Sequence, residues 1–186
     1  MNVKKFEEKL KGFEQYIALV TVASKNYQVA NLKLVKHLTE DENLPGVYVT
    51  LNKPFKTIQA LFKKEGINTD LIIFIDAVTK IEEDIKKTDN CLFIGSPEKM
   101  SDISIAMDQA VKSLPGEDKF VFFDSLSTLL LYNEAATVAK FIHFLTNKIR
   151  AWNVKGVIVS LQKEKDRELI DELSQFCDAV IDFGGG

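Results

Sequence analysis

The side chains that could perform chemistry are few, and they do not group along the sequence. Two histidines lie inside helical patterns, and two cysteines lack the spacing of metal ligands: His37, His143, Cys91 and Cys177. No Ser-His-Asp or Cys-His arrangement follows from these positions. We therefore expect the histidines to be structural or exposed. The cysteines are expected to be small buried apolar side chains.

Two aspartates end apolar runs and are the strongest candidates for a functional role. Asp76 ends the run LIIFID, and Asp124 ends the run FVFFD and is followed by Ser125. An aspartate followed by serine at the end of a buried strand often caps the next helix by accepting backbone N–H bonds. The alternative is a contact to a cation or ligand. The interpretation as a helix cap or as an inherited part of the scaffold is favoured for Asp124, and Asp76 is interpreted in the same way.

The stretch VTVASKNYQVANLKLVKHL, from Val20 to Leu38, has the order of strand, polar loop and helix in which a phosphate loop occurs. Such a loop needs the pattern G-x-x-x-x-G-K-[ST], because glycines let backbone N–H groups surround the phosphates, lysine neutralises charge, and Ser or Thr binds magnesium. No glycine occurs between Gly12 and Gly46, and Lys25 precedes the turn instead of starting the helix. The stretch therefore lacks the residues that hold a triphosphate.

These residues must be positioned by strands and helices that alternate along the chain. The predicted strands are Tyr16–Val22, Val47–Leu51, Leu71–Asp76, Phe120–Asp124, Val154–Leu161 and Ala179–Phe183. The predicted helices are Gln28–Glu40, Pro54–Glu65, Met100–Leu114, Glu134–Trp152 and Lys165–Cys177. Cys91–Gly95 is a candidate minor strand, and Gly156 is expected to follow a helix end. Because most strands are apolar on both faces, the pattern predicts an α/β fold with a parallel sheet covered on both sides.

Three segments, in this order, resemble RecA-like ATPases of the KaiC group. They are VYVTLNKPFKTIQALFKKEGIN (Val47–Asn68), FVFFDSLSTLLLYNE (Phe120–Glu134) and the final VKGVIVSLQKE and CDAVIDF. The resemblance implies a three-layer RecA-like P-loop-NTPase fold with a mainly parallel central sheet, and ATP hydrolysis as the activity of the family. It covers most of residues 1–186, which are expected to form one domain with residues 1–14 as an N-terminal helix or extension. Gly184–Gly186 would be a flexible end, the boundary of a cut chain, or a phosphate-binding turn.

Where the family has catalytic residues, this sequence has others. Ungapped alignment places Ala23 and Gln28 at the two phosphate-loop glycines, Val29 at the lysine and Ala30 at the Ser/Thr. Asn52 and Lys53 stand where the family usually has a Glu-Glu pair that orients the attacking water, and neither an amide nor an ammonium is a general base. Asp124 matches the acidic residue that holds the water shell of magnesium. A lone carboxylate cannot build that site, so we expect no cofactor, no bound metal and no enzymatic activity.

A scaffold without this chemistry suggests a pseudo-ATPase that acts as a regulatory or structural protein–protein interaction module. The partner would be a second copy, giving a homo-oligomer, or a RecA/KaiC-like relative. Candidate contact residues on the apolar segment after Asp124 are Leu131, Tyr132, Phe141, Phe144 and Trp152. The alternative is that Leu129–Leu131 fill the core beneath the next helix.

A second functional class is a sensor that binds a nucleotide or small anion at the modified loop after the first strand. A third is an enzyme with unorthodox residues, for which no reaction can be named.

The composition limits the partners further. The chain has 186 residues, of which 46% are hydrophobic and 27% charged, with a net charge of −3. This charge gives no general attraction to nucleic acid or to anionic membranes. No apolar run reaches the roughly 18 residues of a membrane span. The two cysteines fit a reducing compartment, and a cytoplasmic protein is expected. Abundant Lys, Glu, Ile and Phe are consistent with a thermophile.

Overall fold

The apolar runs of the sequence form the strands of one parallel sheet in a computed structural model that describes residues 3–80 and 90–183. The strands are β1 (Ile17–Val22), β2 (Gly46–Thr50), β3 (Ile72–Asp76), β4 (Cys91–Phe93), β5 (Phe120–Asp124), β6 (Lys155–Leu161) and β7 (Ala179–Phe183). Their order across the sheet is β4-β3-β2-β5-β6-β1-β7, and every pair of neighbours is parallel. All side chains of β1, β2 and β5 are buried, as expected for a sheet covered on both faces.

Helices cover both faces of the sheet. They are α1 (Val3–Leu10), α2 (Tyr27–Lys36), α3 (Phe55–Lys64), α4 (Met100–Ser113), α5 (Leu126–Tyr132), α6 (Ala135–Trp152) and α7 (Arg167–Ser174). Two separate apolar cores result, one beneath α1, α2 and α3 and the other beneath α4, α5, α6 and α7. Side chains of β5 alternate between the cores, with Phe120 and Phe122 in the first and Val121 and Phe123 in the second. The architecture is therefore a three-layer α/β fold, as the sequence predicts.

The register of the central strands brings their carboxyl ends to one level. Thr50, the last residue of β2, pairs with Asp76 at the end of β3 and with Asp124 at the end of β5. The polypeptide that follows β1 and β2 starts at the same edge of the sheet. This edge is therefore where side chains from several loops and helices can meet.

The structure differs from the prediction by one additional helix and at the boundaries of two others. Helix α5 was not predicted, because LSTLLLY is short and has no glycine or proline to separate it from α6. The predicted Gln28–Glu40 helix ends at Lys36 and continues as a single π-helical turn, His37–Asp41. The predicted Lys165–Cys177 helix is a 3₁₀ turn, Glu164–Asp166, followed by the shorter α7.

Gly156 has a different role from the one expected of it. Asn153, with φ of 56°, ends α6, and Gly156 lies within β6. A Cβ atom on Gly156 would lie 2.9 Å from the side chain of Ile149. The glycine is therefore explained by the close approach of α6 to the strand.

Cys91–Gly95 does contain a strand, β4, at one edge of the sheet. Residues 184–186 lie outside the described residues. Within residues 3–80 and 90–183, no helix has both the length and the apolar character required to cross a lipid bilayer.

Candidate functional site

The carboxyl end of β5 places one acidic side chain, Asp124, in the centre of a polar cluster. Its relative exposure is only 2%, because α2, β2 and the loop after β2 surround it. The Tyr48 hydroxyl of β2 donates to Asp124 Oδ2 at 2.5 Å. The Tyr27 hydroxyl, from the first residue of α2, donates to Asp124 Oδ1. Both carboxylate oxygens therefore accept a hydrogen bond from a phenol.

Two asparagines extend this cluster. Asn52 Nδ2 donates to the Tyr27 hydroxyl at 2.8 Å and to Asp124 Oδ1 at 3.4 Å. The Asn31 side chain, from α2, lowers the pKa of Tyr48, against the larger effect of burial. We refer to these five residues, Tyr27, Asn31, Tyr48, Asn52 and Asp124, as the Asp124 network. It connects α2, β2, the loop after β2 and β5.

Burial controls the protonation of the Asp124 network. Loss of solvation raises the pKa of Asp124 to about 8, and it also raises the pKa of Tyr48. The two phenol donors act on Asp124 in the opposite direction, because a carboxylate accepts hydrogen bonds better than a carboxylic acid does. Because burial raises its pKa, Tyr48 keeps its hydroxyl proton and can donate it to this carboxyl group over the whole physiological pH range.

The loop after β1 is short and helical. A 3₁₀ turn, Ser24–Asn26, leads directly into α2. Of the positions that the resemblance matches to phosphate-loop residues, Ala23 is half-buried, Gln28 and Val29 are exposed, and Ala30 is buried in the core. These four side chains therefore differ in burial, and two of them are exposed.

The positions matched to the Glu-Glu pair are both engaged with α2. Asn52 belongs to the Asp124 network, and Lys53 Nζ donates to Gln28 Oε1 at 2.9 Å. The Lys53–Gln28 contact is exposed, whereas the Asn52–Tyr27 contact is partly buried. The structure thus brings together residues from the first loop and the second loop that the resemblance treats as separate sites.

The predicted helix-capping role is wrong for Asp124. Ser125 precedes α5 without a side-chain capping bond to it, and its Oγ lies 3.2 Å from Thr128 Oγ1. The Asp124 carboxylate is turned toward Tyr27 and Tyr48 instead. Hydroxyl donors from α2 and β2 therefore compete successfully with the backbone N–H groups of α5.

Asp76 has the structural role that was expected, although its helix precedes the strand. It is fully buried and accepts bonds from the backbone N–H groups of Phe55, Val78 and Thr79, at 2.8 to 2.9 Å. The Thr79 hydroxyl also donates to it at 2.6 Å. Since Phe55 begins α3, Asp76 fixes the start of that helix and the loop after β3.

The candidate contact residues fall into two groups. Leu131, Tyr132 and Phe144 are exposed by 67%, 51% and 45%. The expectation was wrong for Phe141, which is buried against Phe123. Trp152 is half-buried and donates from Nε1 to Asp108 Oδ1 at 3.0 Å, so its contact role stays a prediction. These two side chains fill the second core because α6 turns them toward the sheet and toward α4.

The segment Leu129–Leu131 also has residues in the core and a residue at the surface. Leu129 is fully buried in the second core and Leu130 packs against it. Leu131, in contrast, is exposed. The core-filling alternative is therefore confirmed for Leu129 and Leu130 only.

His37 forms a second buried polar cluster, at the end of α2. Its Nδ1 lies 3.0 Å from Asp41 Oδ2 and 3.5 Å from Glu7 Oε1, and its Nε2 lies 3.0 Å from Glu42 Oε1. The hydrogen bond to Glu42 is the largest cause of the raised pKa of His37, which burial opposes. Glu42 is also paired with Lys155 of β6. This cluster is structural, as predicted for His37, and links α1 to the start of β6.

Sequence reasoning missed Tyr27, Asn31 and Tyr48. A signal existed for Tyr48, because a tyrosine within a wholly buried strand needs a hydrogen-bond partner for its hydroxyl. No comparable signal marked Tyr27 or Asn31, whose positions depend on how α2 packs over the sheet. Among residues 3–80 and 90–183, no group of three or more His, Cys, Asp or Glu side chains could hold a metal ion.

Comparison with solved structures identifies the fold. The chain is similar to a KaiC-like protein from the hyperthermophilic archaeon Pyrococcus horikoshii OT3, with a TM-score of 0.63 and 14% sequence identity. The alignment covers 95% of this chain and 76% of that chain. At this identity the likeness shows the fold, and the predicted KaiC-like RecA fold is confirmed.

Comparison of sequences gives the family. No curated protein matches the chain. The sequence model of a family of unknown function, DUF7504, matches residues 21–183, and the chain therefore belongs to this family.

Proposed function

We propose that the chain is a pseudo-ATPase, a non-catalytic protein of RecA/KaiC-like fold that acts as a regulatory or structural protein–protein interaction module. The observation that carries this proposal is the Asp124 network. The one acidic residue that matches the magnesium site of the ATPases is 2% exposed, and a phenol occupies each of its carboxylate oxygens. A carboxylate held in this way is not available to the water shell of a nucleotide-bound metal.

The surrounding positions support the same proposal. Asn52 and Lys53 stand where ATP hydrolysis needs a carboxylate, and both side chains are already hydrogen-bonded to α2. The 3₁₀ turn after β1 supplies neither a lysine at the start of α2 nor a glycine-lined cradle. Three separate requirements of phosphoryl transfer are therefore missing from one edge of the sheet.

An exposed apolar surface provides the contact that an interaction module needs. Leu131 and Tyr132 end α5, and Ala135 and Ala136 begin α6 three residues later. The two alanines line a groove of about 430 Å³ between α6 and α7. We refer to these four residues as the α5–α6 surface. We propose that it binds a second copy or a RecA/KaiC-like relative in the cytoplasm.

A nucleotide titration tests the loss of chemistry. Thermal unfolding is followed with ATP or ADP and magnesium, since any ligand that binds only the folded state must raise the melting temperature. We expect no shift and no ATP turnover. A shift without turnover would instead favour the nucleotide sensor. Magnesium-dependent turnover that Asp124→Ala abolishes would refute the pseudo-ATPase.

The interaction role is tested separately by light scattering over a wide concentration range. We expect the wild-type chain to self-associate and the double variant Leu131→Ser, Tyr132→Ser to remain monomeric. Phe144→Ser is the matched control, because Phe144 is similarly exposed but lies on α6 outside the defined surface. If the wild type is monomeric throughout, self-association is refuted and only a different partner remains. If Phe144→Ser is equally disruptive, the assignment to the α5–α6 surface is wrong.

A further inference from the structure

The groove between α6 and α7 has an apolar floor and charged rims. We refer to it as the α6–α7 groove, and its walls include Ala136, Ala139 and Lys140 of α6 and Glu168, Leu169 and Glu172 of α7. Ala139 and Leu169 are buried. Lys140, Glu168 and Glu172 are exposed. The groove therefore offers a partner both an apolar surface and fixed charges.

The two walls of the groove carry opposite charges. Helix α6 has basic residues and no acidic residue, and Lys140 is the lysine that lines the groove. Helix α7 has three acidic residues and one arginine, Arg167, which is paired with Glu164. Among residues 3–80 and 90–183, neither Lys140 nor Glu168 nor Glu172 takes part in a salt bridge. These charges are therefore available to a partner.

The direction of the helices decides how a second copy would meet these charges. Both helices connect parallel strands across the same face of the sheet, so α6 and α7 run in the same direction. A two-fold axis along the groove places α6 of one copy over α7 of the other, at the same level, and does so twice. Each basic rim then faces an acidic rim. A two-fold axis across the groove instead places α6 over α6 and α7 over α7, which opposes like charges.

We propose that the α6–α7 groove is the interface of a two-fold symmetric homodimer, in which α6 and α7 of both copies form a four-helix bundle. Lys140 of each copy faces Glu168 and Glu172 of the other copy. Ala136, Ala139 and Leu169 of both copies form the apolar centre of the bundle. Ala136 also belongs to the α5–α6 surface, which the groove extends toward α7. This inference rests on the proposed interaction function and specifies its partner, its symmetry and the charges that select it.

Charge reversal with mixing of variants tests this arrangement. Lys140→Glu alone opposes carboxylates across both halves of the interface, and the double variant Glu168→Lys, Glu172→Lys alone opposes ammonium groups. Each variant alone should therefore dimerise with a dissociation constant at least about tenfold above that of the wild type at low salt. In a mixed dimer every one of these charges again meets the opposite charge. An equimolar mixture should therefore recover a dissociation constant within about threefold of the wild type.

Sedimentation of the full chain measures the dissociation constants, and native mass spectrometry with a mass tag on one variant identifies mixed dimers. The matched controls are Lys56→Glu and the double variant Glu8→Lys, Glu14→Lys, which change the net charge equally at exposed positions outside the groove. Each control should dimerise as the wild type does. Recovery on mixing also shows that both groove variants fold.

The outcomes separate this inference from the proposed function. If the wild type self-associates and the charge reversals leave its dissociation constant unchanged, the groove is not the interface, although the interaction function stands. Weakened variants that do not recover on mixing, or controls that weaken equally, also overturn the proposed pairing of α6 with α7. A wild type that is monomeric throughout refutes the homodimer, whereas the loss of ATPase chemistry is still decided by the nucleotide titration.

Discussion

Replacement of Asp124 by asparagine should change how the stability of the chain depends on pH. The side chains have nearly the same shape, but the asparagine is neutral at every pH. Asp124 is 2% exposed, and burial raises its pKa to about 8. The pKa of an aspartate in the unfolded chain is about 3.9. Between these values the folded chain retains a proton that the unfolded chain has released.

The sign and size of the effect follow from this difference. Stability rises with pH where the unfolded chain binds more protons, and here the folded chain binds more. The wild type should therefore lose stability relative to Asp124→Asn as the pH rises from about 5 to about 7. A difference of one bound proton changes the free energy of unfolding by about 1.4 kcal/mol per pH unit. The wild type should therefore lose at most roughly 2.5 kcal/mol of stability relative to Asp124→Asn over this range. The hydrogen bonds from Tyr27 and Tyr48 favour the ionised carboxylate and reduce this figure.

Urea unfolding at several pH values between about 5 and 8 measures the effect. With a slope of about 2 kcal/mol per M urea, the midpoint of the wild type should fall by roughly 1 M relative to the variant. His37 titrates in both chains and cancels in the comparison. A difference that changes by less than about 0.5 kcal/mol over this range would refute the inference that burial keeps Asp124 protonated.

Three further changes test other parts of the structure by the same unfolding measurement. Gly46→Ala should destabilise the chain by about 3 kcal/mol or prevent it from folding, because the new Cβ would lie 2.2 Å from the ring of Phe120. A stability within about 0.5 kcal/mol of wild type would contradict that contact. His37→Gln should be less stable than wild type below about pH 6.5, where protonated His37 stabilises the folded chain fully. This difference in stability should disappear as the pH rises through the higher pKa of His37 in the folded chain. A difference that does not change with pH would rule out this role. Phe141→Ala should lower the free energy of unfolding by about 3 to 5 kcal/mol, whereas Phe144→Ala, at an exposed position, should lower it by less than about 0.5 kcal/mol. Equal losses of stability would contradict the burial described for α6.

The sheet could be predicted from the sequence because its signals are local. Runs such as FVFFD are apolar on both faces and end at turn residues, which is sufficient to place a buried parallel strand. Helix α5 could not be predicted in the same way. Its seven residues make a helix that is stabilised by packing against β6 and α6, and an isolated helix of this length is not stable. The exposure of Leu131 beside the burial of Leu129 depends on that packing.

The site was only partly predictable, for a related reason. The position of Asp124 at the end of β5 follows from the strand pattern, and the absence of phosphate-loop glycines can be read from the sequence. The partners of Asp124 come from residues 97 and 76 positions away, Tyr27 and Tyr48. Pairings at such distances are set by the strand order and by the packing of α2. The capping prediction failed because local reasoning had no means of weighing these distant donors.

The substituted positions of the two loops are best understood as one structural unit. Asn52 is hydrogen-bonded to Tyr27, and Lys53 is hydrogen-bonded to Gln28, so each residue in the second loop has its partner at the start of α2. A glutamate at position 52 would bring a second carboxylate close to Asp124, which is unfavourable in a buried site. A glutamate at position 53 would lose the ammonium donor to Gln28. The buried contact at position 52 therefore disfavours a glutamate there, whereas the exposed contact at position 53 has a smaller effect. Return of position 52 alone toward the ATPase pattern is therefore expected to cost stability without rebuilding a phosphate site.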